Sequence, residues 1–227
     1  MSPDPPIAVI VTAYNEADRL PATLAALGDA FPGARVLVAD DASDDGTGEA
    51  ARAGGAEHVR APRRLGKGGV ASLAAEQLAG GETLVLCDGD LGDSARQLPR
   101  LVAALDGADL AVASFARRVG GGFGVALGFA RWAIRRRTGL VLGAPISGQR
   151  ALRPAVVEAV TPFAPRFGME IGMTIDAHRA GFELVEVELD LAHRATGRTA
   201  AGFLHRARQL RDFARVYVSR GMSGRRR

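Results

Sequence analysis

Two aspartates flanking one glycine, Asp88-Gly89-Asp90, follow the apolar run Thr83–Cys87 (TLVLC). Hard cations such as Mg²⁺ and Mn²⁺ take oxygen ligands of this kind and often bridge to substrate phosphates. Aspartate also starts helices well, so the tripeptide alone reads equally as a cap. A second acidic pair, Asp40-Asp41, closes the run Arg35–Asp40 (RVLVAD). Carboxylates there can accept from ribose hydroxyls or a base edge, or cap the next helix. Gly66-Lys67-Gly68-Gly69 brings backbone N–H groups and an ammonium to a helix start, which suits a phosphate, although the P-loop spacing is absent. Lys67 is the one lysine among 29 basic residues; the other 28 (29 − 1) are arginines.

Such groups act together only if the chain brings strand ends to one place. Ile7–Thr12 is a short β-branched run that reads as a buried strand, and a helix is expected from Glu16 to Leu27, with Leu20, Leu24 and Leu27 at helical spacing. Strand Arg35–Asp40, helix Thr47–Ala53, strand His58–Arg60, helix Lys67–Ala79, strand Thr83–Cys87, helix Gln97–Leu105 and strand Leu110–Ser114 follow. This alternation implies βαβ units and a mostly parallel central sheet flanked by helices, an α/β fold. Ligands of such sheets lie beyond the carboxyl ends of the strands, where these polar clusters fall. The back half is less regular. It holds a triple glycine (Gly120–Gly122), an apolar stretch Phe123–Ile134, a strand within Ser147–Arg153, a helix Gly168–Ala180, an alternating strand Glu183–Leu191 and a basic amphipathic helix Phe203–Val218.

Composition narrows the classes. With 227 residues, 47% hydrophobic and 24% charged, the chain can bury a core and is not disordered. One cysteine, Cys87, excludes an internal disulfide framework and a multi-cysteine zinc site. No apolar run reaches the ~18 residues a membrane span needs, and Met1–Pro6 lacks the features of a signal peptide, so a cytoplasmic location is expected. Residues 1–110 carry 17 acids and 9 bases (−8), residues 111–227 carry 8 acids and 20 bases (+12), and the sum is +4. An acidic front and a basic back suggest different partners, although genome base composition accounts for much of the arginine.

Four segments in order resemble the family 2 glycosyltransferases, whose nucleotide-sugar-binding fold is called GT-A. They are Val9–Glu16 (VIVTAYNE), Val38–Thr47 (VADDASDDGT), Gly66-Lys67-Gly68 and Asp88-Gly89-Asp90-Leu91. The resemblance implies one GT-A domain over residues 1–220: a donor half (1–112), an acceptor half (113–198), a basic helix (199–220) and a disordered tail (221–227). It further implies that Ala13, Tyr14, Glu16, Asp41, Gly66, Lys67 and Gly89 contact the donor nucleotide, while Asp88 and Asp90 serve the ribose and a metal-bound diphosphate. Ser147-Gly148-Gln149-Arg150-Ala151 is similar to a Ser-Gly-Phe stretch of polyprenyl-phosphate sugar transferases, with Gln149 in place of the aromatic residue. Phe167–Gly172 with His193-Arg194 looks like glucosyl-3-phosphoglycerate synthases, which implies His193 as a metal ligand beside Asp90; a surface histidine is the plainer alternative. Arg117, Ser147, Gly148, Gln149 and Arg150 fall on the implied acceptor side. Glu170 is either a first-turn acid favoured by the helix dipole or the group that orients, or takes a proton from, the acceptor.

The expected activity is therefore transfer of a sugar from a nucleoside-diphosphate sugar to a phosphate-bearing acceptor, either a 3-phosphoglycerate-like small molecule or a polyprenyl phosphate. A divalent cation, Mg²⁺ or Mn²⁺, would be the cofactor. Alternatives are a sugar-phosphate nucleotidyltransferase, disfavoured by Tyr14-Asn15-Glu16 where an Arg-Lys signature belongs, and a non-catalytic phosphate- or lipid-binding module. Peripheral contact with an anionic inner membrane face is a further expectation from Phe123–Ile134 and the basic helix. Those two segments pack equally well on the domain. No nucleic-acid partner is expected, because aromatics are 5% of residues and no reading motif occurs. The oligomeric state, a homodimer included, stays open.

Overall fold

A computed structural model describes residues 5–115, 124–191 and 200–222. Seven strands form one sheet: β1 (Ile7–Ala13), β2 (Arg35–Asp40), β3 (Glu57–Arg60), β4 (Thr83–Asp88), β5 (Leu110–Phe115), β6 (Arg150–Leu152) and β7 (Leu184–Leu189). Their spatial order is β3-β2-β1-β4-β6-β5-β7. β1, β2, β3 and β4 pair in parallel, as do β5 and β7, whereas β6 runs antiparallel to both its neighbours. The α/β reading of the sequence is thus met, with one reversed strand joining the front half of the chain to the back.

Period-two alternation sends successive strand residues to opposite faces. Val9, Val11, Val85, Cys87, Ala111 and Ala113 face one layer. It contains α1 (Leu20–Ala30) and a helical stretch made of a 3₁₀ turn (Gly92–Gln97) leading into α4 (Pro99–Ala103). Ile10, Leu84, Leu86, Leu110 and Val112 face the other layer, where α3 (Lys67–Ala75), α6 (Pro154–Val160) and α7 (Met169–Arg179) lie. A satellite core joins Ala130 and Ile134 of α5 (Val125–Thr138), Ile171 and Ile175 of α7, and Phe213 and Val216 of α8 (Ala200–Met222). The short α2 (Thr47–Ala53) bridges β2 and β3.

Several expected boundaries move for local reasons. α1 begins at Leu20 rather than Glu16, because Asn15 takes a left-handed backbone (φ 54°) and residues 16–19 form a turn closed by Leu20 N–H donating to the Glu16 carbonyl at 2.9 Å. α3 stops at Ala75, where three-residue turns replace helical bonding. The expected Gln97–Leu105 helix is split, with Pro99 in the first turn of α4. Within Ser147–Arg153 only Arg150–Leu152 is a strand, and α6, started by Pro154, was not foreseen. The basic helix lies on the domain: Asp212, Phe213 and Val216 are buried, and the Arg220 guanidinium pairs with Asp176 at 2.5 Å. Among the described residues no helix is long and apolar enough to cross a membrane.

Candidate functional site

Parallel register brings the chemistry-bearing residues to one level. Ala13 lies opposite Asp40, and Thr12 opposite Asp88, so the loops after β1, β2 and β4 leave the sheet side by side. The Thr12 hydroxyl donates to Asp88 Oδ1 at 3.2 Å, and Gly89 N–H donates to the Thr12 carbonyl at 3.0 Å.

At the centre sits the single lysine. Lys67, the first residue of α3, places Nζ 2.5 Å from Asp88 Oδ1 and 3.2 Å from Glu170 Oε1. Gln149 donates its amide to Asp88 Oδ2 at 2.7 Å and accepts from the Ser147 hydroxyl at 3.1 Å. Asp88 thus meets three internal donors: Thr12, Lys67 and Gln149. Burial alone would lift its pKa, but the Lys67 charge and these hydrogen bonds hold it below the usual carboxylate range. Burial likewise opposes the charge on Lys67, and Asp88 and Glu170 outweigh it, raising the ammonium above its ordinary value. Gly148 is what gives Lys67 room, since a methyl group there would overlap Nζ and stand 3.0 Å from Asp88 Oδ2.

Asp90 is half-buried, two residues past the end of β4. Glu16 is close enough to feel it: burial first, then the Asp90 carboxylate, raise the Glu16 pKa, with Asp18 and Asp88 adding and Arg19 opposing. Hard oxygen donors crowded against like charge are what a divalent cation would relieve. Among the described residues no three His, Cys, Asp or Glu side chains gather as a metal site. His193 and Arg117, both singled out in the sequence, lie outside the described residues.

The expected nucleotide contacts have distinct places. Tyr14 is exposed, with the Arg64 guanidinium stacked 3.2 Å above its ring centroid. Asp41 turns inward: its carboxylate accepts from Leu65 N–H at 2.6 Å, Gly66 N–H at 3.0 Å and Arg64 Nε at 2.9 Å. It pins the loop that presents Lys67. Gly66 adopts a left-handed φ of 78° and faces Arg166 so closely that a Cβ would stand 2.9 Å from its Cα. Asp40 is fully buried beneath, accepting from Ser43 N–H at 2.8 Å and contacting His58 Nε2 at 2.9 Å and Arg60 at 3.0 Å.

On the implied acceptor side Arg150 has no exposed surface and is held from within. Its guanidinium donates to the carbonyls of Ser147 at 2.9 Å and Pro145 at 3.2 Å and to the Thr174 hydroxyl at 3.0 Å. Burial pushes its pKa down to about 10 against the pull of Glu170 and Glu186. Ser147, Gly148 and Gln149 are buried as well, forming the turn that backs Asp88 and Lys67. Thr12 and Arg64 were not singled out by the sequence. Thr12 sits within the strand motif and carries no signal of its own, whereas Arg64 is three residues ahead of Lys67 in a loop already marked by glycine.

Comparison with known proteins gives this geometry its family. The model of glycosyl transferase family 2 matches residues 8–150, from β1 to the first residue of β6. The chain belongs to this family. As a family 2 glycosyltransferase it is 34% identical over 209 residues to the undecaprenyl-phosphate mannosyltransferase of Micrococcus luteus, covering 84% of this chain and 85% of that one. It is 32% identical to the polyprenol monophosphomannose synthase of Mycolicibacterium smegmatis, covering 83% of this chain and 78% of that one. Among solved structures it is similar to glucosyl-3-phosphoglycerate synthase of Mycobacterium tuberculosis in complex with Mn²⁺, uridine-diphosphate-glucose and phosphoglyceric acid. The TM-score is 0.78 and the identity 28%, over 95% of this chain and 79% of that one. The GT-A architecture expected from the sequence is the one observed.

Proposed function

We propose that this family 2 glycosyltransferase moves a sugar from a nucleoside-diphosphate sugar to a phosphate-bearing acceptor, with Mg²⁺ or Mn²⁺ as cofactor. The reading rests on the parallel register that sets Ala13 beside Asp40 and Thr12 beside Asp88, so that the loops carrying Glu16, Asp41 and Asp90 leave adjoining strand ends. Asp90 is the residue that would hold the cation, with His193 as its expected companion. A cation there supplies positive charge against the departing diphosphate. Ala13, Tyr14, Glu16, Gly66 and Gly89 border the donor side. Tyr14 and the overlying Arg64 offer a flat cationic surface to a base. Glu170 orients the acceptor or takes its proton.

The direct test is a thermal-shift screen of nucleoside diphosphates and their sugars, with and without Mn²⁺. Donor at about 100 times its Kd should add about 2.7 kcal/mol of stability, and only when Mn²⁺ is present. No shift with any donor would remove the enzyme reading.

One surface favours the polyprenyl-phosphate acceptor over the small soluble one. Trp132 on α5 is half exposed, with its ring 5.5 Å from Phe129 and 4.8 Å from Tyr217 of α8. Exposed Val125 and Val218 lie on the same two helices, and Arg135 and Arg136 extend from the last turn of α5. Tryptophan and tyrosine favour the headgroup level of bilayers, and each nearby arginine contributes about 1 kcal/mol of attraction to anionic lipid. The proposed placement is therefore peripheral, on an anionic membrane face. Trp132→Ala combined with Arg135→Glu and Arg136→Glu should weaken co-sedimentation with phosphatidylglycerol vesicles by about tenfold or more. Equal binding of variant and parent would leave the small-molecule acceptor as the better reading.

A further inference from the structure

Three residues other than glycine hold a left-handed backbone among the described residues: Asn15 (φ 54°), Ala42 (φ 61°) and Arg166 (φ 56°). Such conformations are costly for residues with a Cβ and gather at functional sites. Asn15 follows β1 and Ala42 follows β2, at the strand ends described above. Arg166 belongs to a third segment, which lies against the loop that opens α3. A Cβ on Gly66 would stand 2.9 Å from Arg166 Cα and 2.8 Å from its Cγ, and a Cβ on Gly68 would overlap the Ala164 carbonyl oxygen. Phe163 N–H donates to the Ser72 hydroxyl of α3 at 2.9 Å. The two glycines of Gly66-Lys67-Gly68 thus admit the backbone of residues 164–166. Four residues after Arg166 the chain reaches Glu170, 3.2 Å from Lys67 Nζ.

The cations along this seam differ in what they meet. Arg64 is stacked on Tyr14 and paired with Asp41, and Lys67 is paired with Asp88 and Glu170. Arg166 is exposed, and among the described residues no hydrogen bond or ion pair engages its guanidinium. Glycine would take this backbone without strain, so the fold alone gives no reason for arginine.

We propose that Arg166 binds a substrate phosphate, its planar fork taking two oxygens where the loop before α3 meets the lead-in to α7. The inference rests on the transferase reading above, in which both substrates carry phosphate. Lysine is a poor substitute, because it offers a point charge rather than a fork.

The test compares Arg166→Gly, Arg166→Lys and, as a control for losing one charge elsewhere, Arg100→Met. Binding of uridine and guanosine diphosphates with Mn²⁺ is measured by calorimetry, as is binding of 3-phosphoglycerate. Polyprenyl phosphate is presented in phosphatidylcholine vesicles and read by co-sedimentation. A charge-assisted hydrogen bond is worth about 10- to 100-fold in affinity. Arg166→Gly should therefore weaken binding of at least one of these ligands about tenfold or more, with a melting temperature no lower than the parent's. Arg166→Lys should recover only part of the loss, and Arg100→Met should bind like the parent. Loss on the nucleoside diphosphates assigns the phosphate to the donor; loss on phosphoglycerate or polyprenyl phosphate assigns it to the acceptor. Parental affinity of Arg166→Gly for every ligand that the parent binds would overturn the inference and leave the transferase reading intact. Equal weakening in Arg100→Met would overturn it as well, as an effect of net charge alone. A parent that binds none of these ligands would refute the transferase reading itself, and the inference with it.

Discussion

Asp90→Ala is expected to lower kcat/KM for sugar transfer by about 10³-fold, the scale seen when one preorganised electrostatic partner of a transition state is lost. The two aspartates of Asp88-Gly89-Asp90 are not equivalent. Asp88 is engaged by Thr12, Lys67 and Gln149, so it belongs to the wall of the site. Asp90 stands in the turn after β4, where its charge, after burial, raises the Glu16 pKa. The cation proposed there faces a diphosphate that gains charge as the sugar departs, so loss of its ligand falls on the transition state. Asp90 is half-buried and lies outside the strand ladder. The melting temperature without donor should therefore change little, while Mn²⁺-dependent stabilisation by donor should disappear. Asp88→Ala should differ, lowering stability as well as activity, because it strands Lys67 and the Gln149 amide. Full activity in purified Asp90→Ala, with its donor and saturating Mn²⁺, would contradict the assignment.

The front half of the fold was legible because β1, β2 and β4 are short, mostly apolar runs that each end in a polar turn. Buried strands need no alternation, and β1, β2 and β4 therefore stand out from the helices around them. The site loops were legible for the same reason: Ala13 pairs with Asp40 and the adjacent Thr12 with Asp88, so the strand ends lie within one residue of a common level. What stayed hidden depends on distant partners. β6 is three residues long and pairs Leu86 and Val112 with Arg150, so its antiparallel direction is set by neighbours remote in sequence. Arg150 itself reads as a surface cation by type, and only tertiary structure reveals the carbonyls that make its burial tolerable. Lys67 drew notice as the sole lysine, in a loop suited to a phosphate. Its pairing with Asp88 and Glu170 depends on where β4, α7 and residue 148 lie, which no local pattern encodes.

Arg150→Met should destabilise the protein by about 2–4 kcal/mol, a large single-site effect for a change that roughly preserves side-chain volume. The guanidinium satisfies the carbonyls of Pro145 and Ser147, and methionine would leave both buried without a donor, at about 1–3 kcal/mol each. The Thr174 hydroxyl is less affected, because it still donates to the Glu170 carbonyl at 2.9 Å. Part of the loss is returned, since the buried charge is itself costly, as the depression of the Arg150 pKa to about 10 reflects. At about 2–4 °C per kcal/mol for a chain of this size, the melting temperature should fall by roughly 4–16 °C. Lysine should rescue little, because one ammonium cannot span acceptors that a planar fork meets on several sides. The functional consequence follows from the same turn: once Pro145 and Ser147 are released, Gln149 no longer holds Asp88, and Lys67 loses the wall against which it is placed. Chemical denaturation of Arg150→Met and Arg150→Lys beside the parent measures the first effect. An unchanged midpoint would mean that the turn holds its shape without the guanidinium, and that the order around Asp88 originates in α3 and α7 alone.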